Sequence, residues 1–200
     1  MDKIHRLIRT MYKVSHRRAA RDNMPISCKH GGRDRLGDIC YELGFNKCVE
    51  VGVHTGKFSQ ILCEKNPHIE LTCIDPWKGG DKSHNTQDKQ DRIFKRAINR
   101  LTPFNARILR KTSMNALVDF EDASLDFVYI DGNHHFDFVC PDIIYWSRKL
   151  KRGGIMACHD YFHHRNGGVV VAVDAYIAGH NITPWYVTYE IMPSAFWVRP

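Results

Sequence analysis

The chain has 200 residues, 43% hydrophobic and 26% charged, with a formal net charge of +7. That length suits one domain of ordinary size, and the composition is that of a chain that buries a core rather than a disordered one. No apolar run approaches the ~20 residues of a membrane span, and the basic N-terminus lacks the apolar stretch of a secretory signal, so membrane, secreted and fibrous classes are excluded.

Residues 1–22 hold Lys3, Arg6, Arg9, Lys13, Arg17, Arg18 and Arg21 against Asp2 and Asp22, so most of the charge sits in an N-terminal arm and the body is nearly neutral. Ile4, Leu7, Ile8, Met11 and Tyr12 recur at helical spacing in this arm. Its basic face could serve RNA, an anionic surface or acidic substrate groups, or be the solvated side of a helix docked on its own domain. Residues 23–32, with Pro25 and a glycine pair, read as a linker. The expected division is a helical arm and linker over 1–30 and one domain over 31–200.

Beyond the linker, helical and strand patterns alternate. Leu36, Ile39, Cys40 and Leu43 form a helical stripe closed by Gly44. A short strand over 48–51 leads to a helix opened by Phe58, Ile61 and Leu62 and stopped at Asn66-Pro67. A second strand covers 71–74, the polar stretch 79–90 reads as a loop, and Ile93, Phe94, Ala97 and Leu101 stripe the next helix. A weaker strand over 107–110 and a short helix over 116–118 follow. The run L-D-F-V-Y-I at 125–130 is the clearest strand. Ile143, Trp146 and Leu150 mark a helix expected to stop at Gly153-Gly154, before a strand over 155–158 and a helix over 169–178. The tail offers two strands, 185–189 and 195–198, with no helix between. Such alternation implies an α/β fold, a parallel sheet covered on both faces, with an antiparallel strand from the closing hairpin.

The seven cysteines, Cys28, Cys40, Cys48, Cys63, Cys73, Cys140 and Cys158, are odd in number and include no C-x-x-C pair. They read as buried thiols in a reducing, cytoplasmic setting.

In an open parallel sheet, ligands collect beyond the carboxyl ends of the strands. The first of these strands runs into V-E-V-G-V-H-T-G, where Gly52 and Gly56 allow a tight turn and close ligand approach in G-x-x-x-G spacing. The second ends in Asp75, placed to accept hydrogen bonds from both ribose hydroxyls of an adenosine ligand, with Trp77 positioned to stack on adenine. Ser113 either reaches the adenine edge or caps the short helix that follows.

Glu50-x-Gly52-x-x-x-Gly56, then Asp75, then a strand ending Asp131-Gly132, resembles the class I S-adenosyl-L-methionine-dependent methyltransferases. The resemblance implies a Rossmann-like three-layer sandwich around a seven-stranded, mostly parallel sheet with an antiparallel last strand. It also implies that Glu50, Gly52 and Gly56 surround the methionine moiety and that Asp75 holds the ribose.

Two adjacent strands deliver D-G-N-H-H-F (131–136) and C-H-D-Y-F-H-H (158–164) to one edge of the sheet. Two carboxylates and an imidazole there suit magnesium or another divalent metal, which would orient a substrate hydroxyl and lower its pKa. A histidine could take that proton directly. The expected assignment is Asp131, His159 and Asp160 as metal ligands, with His134 as base and Asp131 and Asp160 as its catalytic partners. The alternatives are a cofactor hydrogen bond for Asp131 and a packing role for His159; His163 and His164 read as loop histidines.

These segments, with Asp142 and the H-D-Y triplet, are similar to small methyltransferase domains related to macrocin-type sugar O-methyltransferases and to cephalosporin-biosynthesis proteins. His159-Asp160 stands where metal-dependent relatives have two acids, and Phe136 replaces the usual tyrosine. The leading expectation is methylation of a small-molecule hydroxyl. The competing ones are an RNA methyltransferase gripping nucleic acid through the arm, and a non-catalytic adenosyl-ligand binding module.

Overall fold

The computed structural model describes residues 3–15, 24–80, 85–162 and 167–200. Arg17, Arg18 and Arg21 of the basic arm, residues 81–84 of the polar stretch, and His163 and His164 lie outside the described residues.

Among the described residues, eight strands form one sheet: β1 (Ile26–Ser27), β2 (Lys47–Val51), β3 (Glu70–Ile74), β4 (Ala106–Leu109), β5 (Leu125–Ile130), β6 (Leu150–Cys158), β7 (Trp185–Val187) and β8 (Ala195–Val198). Their spatial order is β1-β7-β8-β6-β5-β2-β3-β4. The pairs β2–β3, β2–β5, β3–β4 and β5–β6 are parallel, while β8 runs antiparallel to both neighbours. This is the expected Rossmann-like topology with one strand more than the seven counted in sequence. The extra strand comes from the segment read as a linker, where Ile26 and Ser27 pair in parallel with Tyr186 and Val187.

Helices cover both faces. One carries α1 (Lys3–Met11), α2 (Asp34–Glu42), α3 (Lys57–Lys65) and α4 (Gln87–Leu101); the other carries the short α5 (Ser113–Ala116), α6 (Phe136–Lys149) and α7 (Val169–Gly179). The alternation of β-strand side chains explains the two cores. In β5, Phe127 and Tyr129 point into the first cluster, whereas Val128 and Ile130 point into the second.

Helix α1 lays Ile8 into the first cluster alongside Tyr12 and Val14, while Lys3, Arg6 and Lys13 face solvent. The Tyr12 hydroxyl donates to the Gly32 carbonyl at 3.2 Å. The sequence periodicity over 4–12 thus marks the face that packs on the sheet.

Two boundaries differ from expectation. Helix α4 starts inside the stretch read as loop, because Thr86 caps it by accepting from the Lys89 amide at 3.3 Å. Strand β6 begins at Leu150, the residue expected to end α6. Its register jumps from Leu125↔Leu150 to Phe127↔Ile155. The intervening Lys-Arg-Gly-Gly forms a bulge rather than a helix stop. Gly153 donates to the Arg199 carbonyl and Arg199 to the Gly154 carbonyl, at 2.9 and 2.8 Å, which draws both glycines toward β8.

Candidate active site

The carboxyl ends of β2, β3, β5 and β6 lie side by side, and the turns beyond them carry most of the residues singled out in sequence. Glu50, the penultimate residue of β2, is fully buried and accepts a hydrogen bond from the Ser59 hydroxyl on α3. Burial pushes its pKa up to about 8; Asp131 and Asp75 add to the shift, and Ser59 and Arg33 oppose it. Glu50 therefore carries its proton at neutral pH.

Gly52 follows β2 with φ +92°, and its amide donates to the Ile74 carbonyl at 2.8 Å. A Cβ at this position would land on the Asp131 carbonyl oxygen and 2.5 Å from the Gly132 nitrogen. Only glycine lets the β2 turn press against the β5 turn so closely. Gly56 closes the turn and opens α3.

Asp75 stitches this turn to the next. Its Oδ2 accepts from the His54 amide at 2.9 Å and its Oδ1 from the Trp77 amide at 2.8 Å. The expected adenine stacking by Trp77 needs correction. The indole is 1% exposed, packs on Phe94 with 4.7 Å between ring centroids, and donates from Nε1 to the His54 carbonyl at 2.8 Å. A buried indole N–H must find an acceptor, and finding it in the β2 turn makes Trp77 a brace rather than an open platform.

Ser113 is also not the helix cap. Thr112 holds that position, accepting from the Asn115 amide at 3.3 Å. The Ser113 hydroxyl turns inward, donating to Asp142 and accepting from Trp146 Nε1 at 2.8 Å. Burial raises the Asp142 pKa to about 6 against the opposing bond from Ser113.

The β5 and β6 turns bring the histidines and acids together as expected. His134 Nε2 lies 3.1 Å from Asp160 Oδ2 and 3.7 Å from Asp131 Oδ1, while His159 Nδ1 lies 3.2 Å from Asp131 Oδ1 and 3.1 Å from Asp160 Oδ1. Burial works to raise the Asp131 pKa, but nearby His134 and His159 and the Arg33 charge outweigh it and hold it below the usual carboxylate value. Asp131 in turn raises the His134 pKa, with Asp160 assisting and burial opposing.

Asp131, His134 and Asp160 each offer an atom within 4.8 Å of the others, the spacing of a metal-ligand set. His134 completes this set beside the two acids, and His159, the third ligand expected from sequence, is buried with its Nδ1 equally near both of them. Buried His159 Nδ1 and Asp160 Oδ1 form no hydrogen bond despite their 3.1 Å separation; it is the spacing of an ion pair without hydrogen-bond alignment. That under-satisfied pair, beside two more ligating atoms, fits a divalent cation. His134 and Asp160 also wall a cavity of about 410 Å³ with Asn133, Phe162, Val169 and Met192.

Arg33, which precedes α2, escaped the sequence reading. Its Nη1 donates to Asp131 Oδ2 at 3.1 Å and to the Tyr129 hydroxyl at 3.4 Å, and its guanidinium lies 5.2 Å from the centre of the Phe58 ring. Its amide donates to Glu190 Oε1 at 2.7 Å. These partners are far away in sequence; the only local signal was a cation at a helix start, where the dipole does not favour one.

Comparisons with known proteins agree with the fold. The family model described as a methyltransferase domain matches residues 49–161, more than half of the chain. An uncharacterized protein of Sinorhizobium fredii, y4gI, is 30% identical over 128 residues, 61% of this chain but 14% of that protein. The chain thus spans about one-seventh of the curated relative's length. A Staphylococcus aureus protein described as a candidate caffeoyl-CoA O-methyltransferase superposes with a TM-score of 0.59 at 14% identity, over 100% of this chain and 93% of that one. The O-methyltransferase NovP gives 0.61 at 17% identity, over 84% and 79%. The N-methyltransferase NodS of Bradyrhizobium japonicum gives 0.56 at 16%, over 84% and 94%. At such identities the structural matches show the fold. Among the described residues, no helix is long and apolar enough to cross a membrane, and all seven cysteines are free thiols.

Proposed function

The chain belongs to the methyltransferase-domain family, and from that premise we propose that it moves a methyl group from S-adenosyl-L-methionine to a hydroxyl of a small-molecule acceptor. The residues present fit such a donor. Asp75 offers carboxylate lone pairs at the end of β3, and the Gly52 turn exposes bare backbone between β3 and β5. The donor supplies an electrophilic methyl on a sulfonium, so the chain's task is to align the acceptor oxygen and remove its proton.

His134 carries the proposal, because its Nε2 stands between Asp131 and Asp160 on the wall of the 410 Å³ cavity. Neutral His134 takes the hydroxyl proton at Nε2, and the two carboxylates stabilise the imidazolium that results. A bound divalent ion, held by Asp131 and Asp160 with His134 or His159, would acidify the hydroxyl instead. Ligation by His134 would occupy the same Nε2, so the two uses of that residue exclude one another.

The test is a calorimetric titration with S-adenosylhomocysteine, with and without magnesium, followed by turnover on a panel of small hydroxylated acceptors. Micromolar binding of the product and methylation of any acceptor support the reading. Absence of product binding to the folded protein would overturn it.

A further inference from the structure

We infer that Arg33 receives the carboxylate of the donor's amino-acid arm, a role that rests on the donor reading above. The sheet order sets the geometry. Strand β2 lies between β3 on one side and β5 on the other. A ligand with its sugar on Asp75 and its methyl directed toward the His134 cavity must cross the end of β2 at Gly52. The sulfur of such a ligand bears a third substituent, an aminobutyrate arm ending in a carboxylate and an ammonium, and this arm also needs a seat.

Arg33 stands at that crossing. Its guanidinium spans from Phe58, in the first turn after the Gly52–Gly56 loop, to Asp131, whose backbone touches Gly52. Among the described residues, its only side-chain hydrogen bonds run from Nη1, leaving the donors on Nε and Nη2 for a ligand. The side chain is 31% exposed, so a small anion can reach it without displacing the core. Its surroundings hold it in place. Glu190 grips its amide, and Asp131 and Tyr129 fix Nη1, so little side-chain entropy remains to be lost on binding. The neighbouring carboxyl, Glu50, is protonated at neutral pH and offers the incoming carboxylate no full charge to repel it. A planar guanidinium with free parallel N–H groups matches a carboxylate bidentately, which a lysine cannot do.

The full chain, titrated with S-adenosylhomocysteine and with 5′-methylthioadenosine, tests this directly. The second probe keeps the adenosine and sulfur but lacks the amino-acid arm. Arg33→Gln should weaken S-adenosylhomocysteine by roughly 10- to 100-fold, the range of a charge-assisted hydrogen bond, and methylthioadenosine by less than about 2-fold. Arg33→Lys, which keeps the charge but not the fork, should fall between. Equal weakening of both probes would mean that Arg33 only holds the site together, and unchanged affinity for both would mean that the carboxylate sits elsewhere; either result overturns the inference while the donor reading stands. Failure of the wild-type chain to bind S-adenosylhomocysteine overturns both.

Discussion

Replacing Gly52 by alanine tests how the site is built, because two separate penalties meet there. The first is conformational: φ is +92°, and an L-residue held at positive φ costs about 1–2 kcal/mol. The second is steric, since the new methyl would meet the Asp131 carbonyl oxygen and the Gly132 nitrogen, both backbone atoms that cannot swing aside. Overpacking of this kind costs about 1–3 kcal/mol, so the sum is roughly 2–5 kcal/mol. Gly44 provides the control. It too has positive φ, +67°, but a Cβ there meets nothing within 4 Å. Gly44→Ala should therefore show the conformational cost alone, a loss of about 2–8 °C in Tm for a chain of this size. Gly52→Ala should lose several degrees more, and its affinity for S-adenosylhomocysteine should fall at least about 10-fold as the β2 and β5 turns are forced apart. Thermal unfolding and calorimetry on both variants give the answer. If Gly52→Ala is as mild as Gly44→Ala and binds the product normally, the close approach of the two turns is not what shapes the site.

Three further outcomes are expected. His134→Ala should lower turnover by about 10²–10⁴-fold while leaving product affinity within about 3-fold, as measured by initial rates and calorimetry. Asp142 has a folded pKa near 6, above the unfolded value near ~4, so its protonated form favours the fold. That contribution is present below pH ~4 and is lost as pH rises through 6; the stability of wild type relative to Asp142→Asn should thus fall by up to about 3 kcal/mol across the window, in urea unfolding at each pH. If the acids hold a cation, magnesium or manganese should raise the Tm of wild type and leave Asp131→Asn and Asp160→Asn unmoved, whereas chelation should lower turnover.

Much of the architecture was readable because burial writes itself into local patterns. Strand β5 is an apolar run with one acid, and Asp75 and Asp131 stand where strands end, so their clustering follows from the topology. What escaped depended on distant partners. Leu150 has the spacing of a helical residue, yet pairing with Leu125 starts a strand there. Ile26 and Ser27 carry no strand signal of their own and are recruited by β7. An indole after a strand serves stacking or bracing equally well, and only the position of the His54 carbonyl decides for Trp77. Arg33 meets its aspartate across 98 positions, beyond the reach of any local motif.

His54, Trp77 and Asp160 all adopt left-handed backbone, with φ of 52°, 39° and 57°, one in each of the loops that leave β2, β3 and β6. Such residues persist only where the surrounding scaffold overrules their preference, at roughly 1–2 kcal/mol apiece. The rim facing the ligands is therefore spring-loaded by the sheet beneath it, and its shape is imposed before anything arrives. Glycine at the exposed His54, whose hydrogen bonds to Asp75 and Trp77 run through its backbone, should make the scaffold harder to unfold and the pocket slacker, so robustness and affinity would move in opposite directions.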